Sequence, residues 1–141
     1  MIEFMRKYFL FLVLPLWLAS CEYQAKNSIL FWAVRENLRC PVNAGNGLIC
    51  DSVVPHMKEK NVSFYYSYSE DVEFEELENY LAEVNDDEVR ATLASALSSD
   101  VAIQPMLLQL SLADFSMGYV YLRRDGSLIK EYFLTKDEYM K

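Results

Sequence analysis

Residues 62–69, Val-Ser-Phe-Tyr-Tyr-Ser-Tyr-Ser, place Val62, Phe64, Tyr66 and Tyr68 on one side of an extended chain and Ser63, Tyr65, Ser67 and Ser69 on the other. That alternation has the period of two expected of a strand with one face against a core. From Glu70 the period lengthens to about 3.6. Phe74, Leu77, Leu81 and Val84 then form one helical stripe, with acids on most of the remaining positions.

Toward the C-terminus, Asn85-Asp-Asp87 breaks this helix and can cap the next, whose stripe is Val89, Leu93, Ala96 and Leu97. Two short helices joined this way predict a helical hairpin, ended by Ser98-Ser-Asp100. Met106, Leu108, Leu110 and Leu112 alternate with Leu107, Gln109, Ser111 and Ala113, which predicts a strand. A helix starting at Pro105 is the alternative. Residues 118–124 and 127–134 predict two more strands around Asp125-Gly126, the favoured two-residue hairpin turn. Residues 135–141 form a polar tail.

Toward the N-terminus, residues 58–61 form a polar turn. Residues 48–54 predict a short strand stopped by Pro55. Asn27 or Ser28 can cap a helix through Arg39, with Ile29 and Trp32 turned inward. The elements add up to an α+β domain over residues 27–141. Its core would be a mostly antiparallel sheet of four or five strands with about three helices on one face.

Ahead of that domain stand Arg6 and Lys7, an apolar run from Tyr8 to Leu18, and the small residues Ala19 and Ser20 before Cys21. Basic, apolar, small is the order of a secretory signal peptide, and eleven apolar residues fall short of the roughly 20 that span a bilayer. Leu18-Ala19-Ser20-Cys21 resembles the bacterial lipobox. The resemblance implies that residues 1–20 are removed and that Cys21 is acylated on its sulfur and its new amine. Residues 21–26 would then be a lipidated tether. Glu3 disturbs the basic region, and a start at Met5 gives a cleaner signal. In enterobacterial lipoproteins an aspartate after the cysteine retains the protein in the inner membrane. Glu22 is not that signal and points to the outer membrane, facing the periplasm.

Two cysteines then remain, Cys40 and Cys50. In an oxidising compartment such a pair is expected to close a disulfide. The intervening loop contains Pro41, Gly45, Asn46 and Gly47, residues that suit a tight connection. A zinc site would need more ligands than nearby His56, and a redox pair would need Cys-x-x-Cys.

The chain has 21 acidic and 13 basic residues. Removing Glu3, Arg6 and Lys7 with the signal leaves 20 against 11, a formal charge of −9. So acidic a domain lacks the basic face that nucleic acid requires, and it suits a protein partner that is basic. Ten acids crowd residues 70–88 with no Lys or Arg among them. Of these, Glu70, Asp71, Glu73, Glu75, Glu76 and Glu78 are candidate partner contacts, since charge selects and steers partners. Tyr65, Tyr119 and Tyr121, on strands of a sheet with one uncovered face, are the other candidates.

Catalytic motifs are missing: no nucleophile elbow, P-loop, dinucleotide fingerprint or zinc signature occurs, and His56 is the one histidine. No cofactor or metal is implied. A non-enzymatic binding module is expected. Its size, anchor and α+β plan resemble the small lipoprotein pilots of secretion systems, which hold a segment of an outer-membrane pore subunit and carry it to the membrane. An immunity lipoprotein that neutralises a toxic effector through the acidic surface is the alternative. A hydrolase would require His56 beside a carboxylate in a cleft.

Overall fold

The computed structural model describes residues 2–69 and 73–141. Helix α1 (Ile2–Leu38) leads into β1 (Val42–Gly45), β2 (Leu48–His56) and β3 (Asn61–Tyr68). Three helices follow, α2 (Phe74–Glu83), α3 (Asp86–Ser99) and α4 (Gln104–Leu112), and then β4 (Ser116–Leu122), β5 (Leu128–Leu134) and the short α5 (Lys136–Tyr139). The strands form one sheet in the order β1-β2-β3-β4-β5. All neighbours are antiparallel except β3 and β4, which run parallel. A parallel pair needs a long crossover, and α2 to α4 supply it. The α+β class and the mostly antiparallel sheet agree with the sequence reading, while the described helices number five rather than about three.

Register decides the two faces of the sheet. Val62 lies opposite Met117, and Met117 opposite Leu134; Phe64 lies opposite Val53 and Tyr119, and Tyr119 opposite Tyr132. Directly opposed residues share a face, so these side chains line one side of the sheet. They meet Ala25, Ile29 and Trp32 of α1, Leu97 of α3, Leu107 and Leu110 of α4, and Tyr139 of α5 in one core. On the other face a Cβ at Gly118 would come within 2.5 Å of Ser63 Oγ and 2.9 Å of Phe133 Cε1. Glycine there lets the Phe133 ring lie across β4 and helps to bury Ser63, whose hydroxyl donates to Asn61 Oδ1 at 2.8 Å.

Seven local expectations are corrected. The first helix does not start at Asn27 or Ser28 but is continuous from Ile2. The connection between the two cysteines is not merely a loop: β1 and β2 form a hairpin whose turn is Asn46-Gly47, both at positive φ (55° and 77°), as a two-residue primed turn requires. Pro55 does not stop β2, which runs on to His56. Beyond Cys50 that edge of β2 has no strand beside it, so a missing N–H costs nothing there. The Val53 N–H, on the same edge, donates to Asn37 Oδ1 of α1 at 3.0 Å.

Residues 104–112 are helix rather than strand. Pro105 sits in the first turn, and Leu107 and Leu110, three apart, are buried while Leu108 and Leu112 are exposed. Leucine at nearly every position satisfied a period of two and a period of 3.6 alike, and packing against α1 selected the helix. Asn85 caps α3 as expected, accepting from the Asp87 N–H at 2.9 Å, yet α2 and α3 do not close on each other as a hairpin. Each packs on β5 instead, and α3 also packs on α5. The β4–β5 turn is not the two-residue type. Arg123 and Ser127 pair, Gly126 N–H donates to Arg123 O, and Gly126 alone takes positive φ, at 85°. This is a three-residue loop ending in a left-handed glycine.

The polar tail is also structured. Thr135 and Glu138 form a reciprocal capping box that starts α5. Tyr139 is consequently carried into the core, 1% exposed, with its hydroxyl donating to Phe115 O at 2.7 Å. Arg90 of α3 holds this end down through Glu138 and the Phe133 carbonyl.

Candidate protein-docking site

Aromatic rings cross the core face of the sheet in an unbroken line. Trp32 meets Phe64 edge-on at 5.9 Å, Phe64 stacks on Tyr119 at 6.0 Å, and Tyr119 stacks on Tyr66 at 6.4 Å. Tyr66 stacks on Tyr121 at 5.4 Å, and Tyr121 meets Tyr132 edge-on at 6.2 Å. The parallel β3–β4 register builds this row, since it sets Phe64 beside Tyr119 and Tyr66 beside Tyr121. Pairs in these geometries add about 0.5–1.5 kcal/mol each beyond burial.

Part-way along the row the cover is incomplete. Tyr119 is buried, but Tyr66 and Tyr121 are half-buried. None of these three hydroxyls bonds to another protein group among the described residues. Burial, and after it the neighbouring groups, holds all three phenols above their usual pKa, so at neutral pH each is an un-ionised donor. Beside Tyr66 a pocket of about 210 Å³ opens between β1 and the last turn of α1, lined by Arg39, Cys40, Val42, Cys50 and Phe64 among others. Phe64 and Tyr66 form its aromatic floor and Glu36 and Arg39 its charged rim, a combination that suits a peptide segment.

Cys40 and Cys50 stand at this pocket with their sulfurs 3.9 Å apart, each as a free thiol. A bond would bring them to about 2.05 Å. The Cys50 thiol is pushed up to about 12, by burial first and by Cys40 second.

The acidic residues occupy the opposite side of the domain. Glu73, Glu75 and Glu76 are exposed at the start of α2. Glu78 is paired with Arg123, and Asp86 with Lys130 at 2.8 Å. The Lys130 hydrogen bond and charge hold the Asp86 carboxyl below its usual value. Cations absent from residues 70–88 thus arrive from the β4–β5 hairpin. Glu70 and Asp71 lie outside the described residues. Tyr65 is on the other sheet face, where its hydroxyl and His56 Nε2 are 2.9 Å apart; His56 therefore meets a phenol and not a carboxylate.

No family model and no curated protein matches this sequence. Solved structures do match its fold. A candidate secreted protein of Pseudomonas aeruginosa superposes with a TM-score of 0.62 at 10% identity, over 84% of this chain and 95% of that one. The type 2 secretion pilotin EpsS of Vibrio vulnificus gives 0.59 at 14% identity, over 86% and 96%. The type II secretion pilotin AspS of Vibrio cholerae gives 0.57 at 14% identity, over 85% and 96%. This chain has the fold of two pilotins.

Within that fold the expected contacts fall in three places rather than one: Tyr121 on the open aromatic row, Tyr65 behind the sheet, and the acids beyond β5. Tyr119 supports the row from below. Sequence reasoning missed Tyr66, which sits between Tyr119 and Tyr121 and beside the pocket. It was assigned to the covered face of β3, and nothing local shows how far along that face the helices reach. Cys21 is exposed within α1. No helix of the described residues is long and apolar enough to cross a membrane.

Proposed function

We propose that this chain is a lipid-anchored envelope lipoprotein that acts as a pilot, binding one segment of a secretion or envelope component on the open aromatic row at Tyr66 and Tyr121. The observation that carries the reading is this partly uncovered row of phenols beside an apolar pocket, in a domain with the fold of two secretion pilotins. Acyl chains on Cys21 would hold the domain at the membrane, because each buried methylene contributes about 0.8 kcal/mol and several chains act together. The outer membrane is the proposed site.

The test is capture from native membranes by the lipidated protein, with partners identified by mass spectrometry at low and high salt. A pore or secretion subunit should be retained at high salt. It should fall at least about tenfold when Tyr66→Ala and Tyr121→Ala are combined, the loss expected of two aromatic anchors. Glu75→Gln with Glu76→Gln should leave it unchanged. Capture that instead vanishes with salt and with the two glutamines would favour the immunity reading, for which the exposed Glu73, Glu75 and Glu76 are the support.

The cysteine pair has its own expected outcome. Protein matured in the oxidising envelope should weigh two hydrogens less than its reduced form, and reduction should cost about 3 kcal/mol in the chain-entropy view of so short a loop. In the reduced protein Cys50 should resist alkylation near pH 8, since its thiolate forms only toward about pH 12. A dithiol mass in the native preparation would refute the bond.

A further inference from the structure

Helix α1 has two apolar faces. Ala25, Ile29, Trp32 and Ala33 turn one of them into the core. Tyr23, Leu30, Phe31, Val34 and Leu38, at about 100° per residue, fall on the opposite side. They are 67, 38, 75, 48 and 80% exposed. A helix on the outside of a soluble domain ordinarily presents polar residues there. Here Asn27 is the one polar residue within the stripe, and Lys26 and Arg35 flank it on either side.

Charge divides the molecule the same way. α1 packs on β2 and α4, whereas α2 and α3, which carry the exposed acids, pack on β5. β2 and β5 are three strand spacings apart, about 14 Å. From Glu22 to Arg39 the cations Lys26, Arg35 and Arg39 outnumber Glu22 and Glu36, in a chain whose formal charge is −8. Lys26 and Arg39 are paired with Glu22 at 3.1 Å and Glu36 at 3.4 Å, so an anionic surface would meet Arg35 and little repulsion on the α1 side, and the exposed acids on the α2–α3 side.

We propose that the outward face of α1 lies on the phospholipid surface, with the helix running along the membrane from Cys21. The occupant follows from continuity, because the exposed stripe begins two residues after Cys21 on the same uninterrupted helix and extends for about 22 Å. The proposal rests on the anchor reading. Acyl chains at the helix start keep the membrane at high effective concentration, so a weak contact is enough to orient the domain. In that orientation α2, α3 and their acids lie to one side of the contact, about 14 Å along the sheet from β2.

The test uses the lipidated mature protein in vesicles of phosphatidylethanolamine and phosphatidylglycerol containing brominated phosphatidylcholine. Tryptophan is introduced by Phe31→Trp or, as the control on α2, by Glu83→Trp; both positions are exposed, so folding is spared, and Trp32 gives the same background in each. Bromine should quench the Phe31→Trp signal at least threefold more than the Glu83→Trp signal. Equal quenching of the two, or none at position 31 in vesicles that carry the protein, overturns the proposal. So does an emission at position 31 that is blue-shifted before vesicles are added, since a second copy would then cover the face. The mass of Cys21 in the same preparation reports separately on the anchor. An unacylated Cys21 overturns the anchor reading, whereas acylated protein without quenching at position 31 overturns the contact of the helix face alone.

Discussion

Between about pH 10 and pH 12 the protein should unfold cooperatively, because ionised tyrosine is tolerated by the unfolded chain and excluded by the fold. Free tyrosine loses its proton near pH 10. In the fold Tyr68 is pushed up to about 12, and Tyr66, Tyr119, Tyr121, Tyr132 and Tyr139 are all raised, in each case by burial first and by neighbouring groups second. A raised folded pKa means the neutral form is favoured in the native state. The associated stability is complete below pH 10 and is lost as the pH climbs above it, since only the unfolded chain sheds those protons. One pKa unit corresponds to about 1.4 kcal/mol, so Tyr68 alone removes about 2 kcal/mol by pH 12. Small domains hold about 5–15 kcal/mol in all, and several buried phenols raised in the same direction remove a large share of it. The check is to follow tyrosinate absorbance and far-ultraviolet dichroism together. Both should change in one transition; absorbance that titrates smoothly near pH 10 with the dichroism intact would show that the rings ionise in the folded protein.

Tyr139→Ala should be the most damaging single substitution near the C-terminus, costing about 3–5 kcal/mol, the range for removing a fully buried aromatic ring. The ring is 1% exposed and sits with Phe115 and Leu134 in the main core, although only two residues follow it. Tyr139→Phe should cost about 1–2 kcal/mol, because it deprives the Phe115 carbonyl of its donor while keeping the packing. Urea denaturation of the mature protein measures both. A Tyr139→Ala loss below about 1 kcal/mol, the level of an ordinary surface change, would mean that α5 is a free tail after all.

The failures of local reading have separate causes. Residues 135–138 carried a legible signal, Thr-x-x-Glu, that the polar composition of the tail concealed. Residues 46–47 carried another, Asn-Gly, obscured because the strand before it, β1, has only four residues, all exposed. Pro55 misled because its penalty depends on whether a partner strand lies alongside, and none does beyond Cys50. Of the candidate docking residues, Tyr121 was legible only as a strand tyrosine. Whether such a ring supports the row like Tyr119 or stays open like Tyr66 depends on how far α1 and α4 extend over the sheet.

By itself the sequence determined the alternating strand at residues 62–68, the α3 cap at Asn85, the acidic surface, and the placing of two cysteines on either side of one turn. Each of these depends on neighbours a few residues apart, where side-chain periodicity and hydrogen-bond reach are set by covalent order. Only the tertiary structure decided the parallel β3–β4 pairing, the helix at residues 104–112, the burial of Tyr139 and the row from Trp32 to Tyr132. These contacts join residues distant in the chain, and their stability comes from apolar area that exists only once the sheet and helices have met.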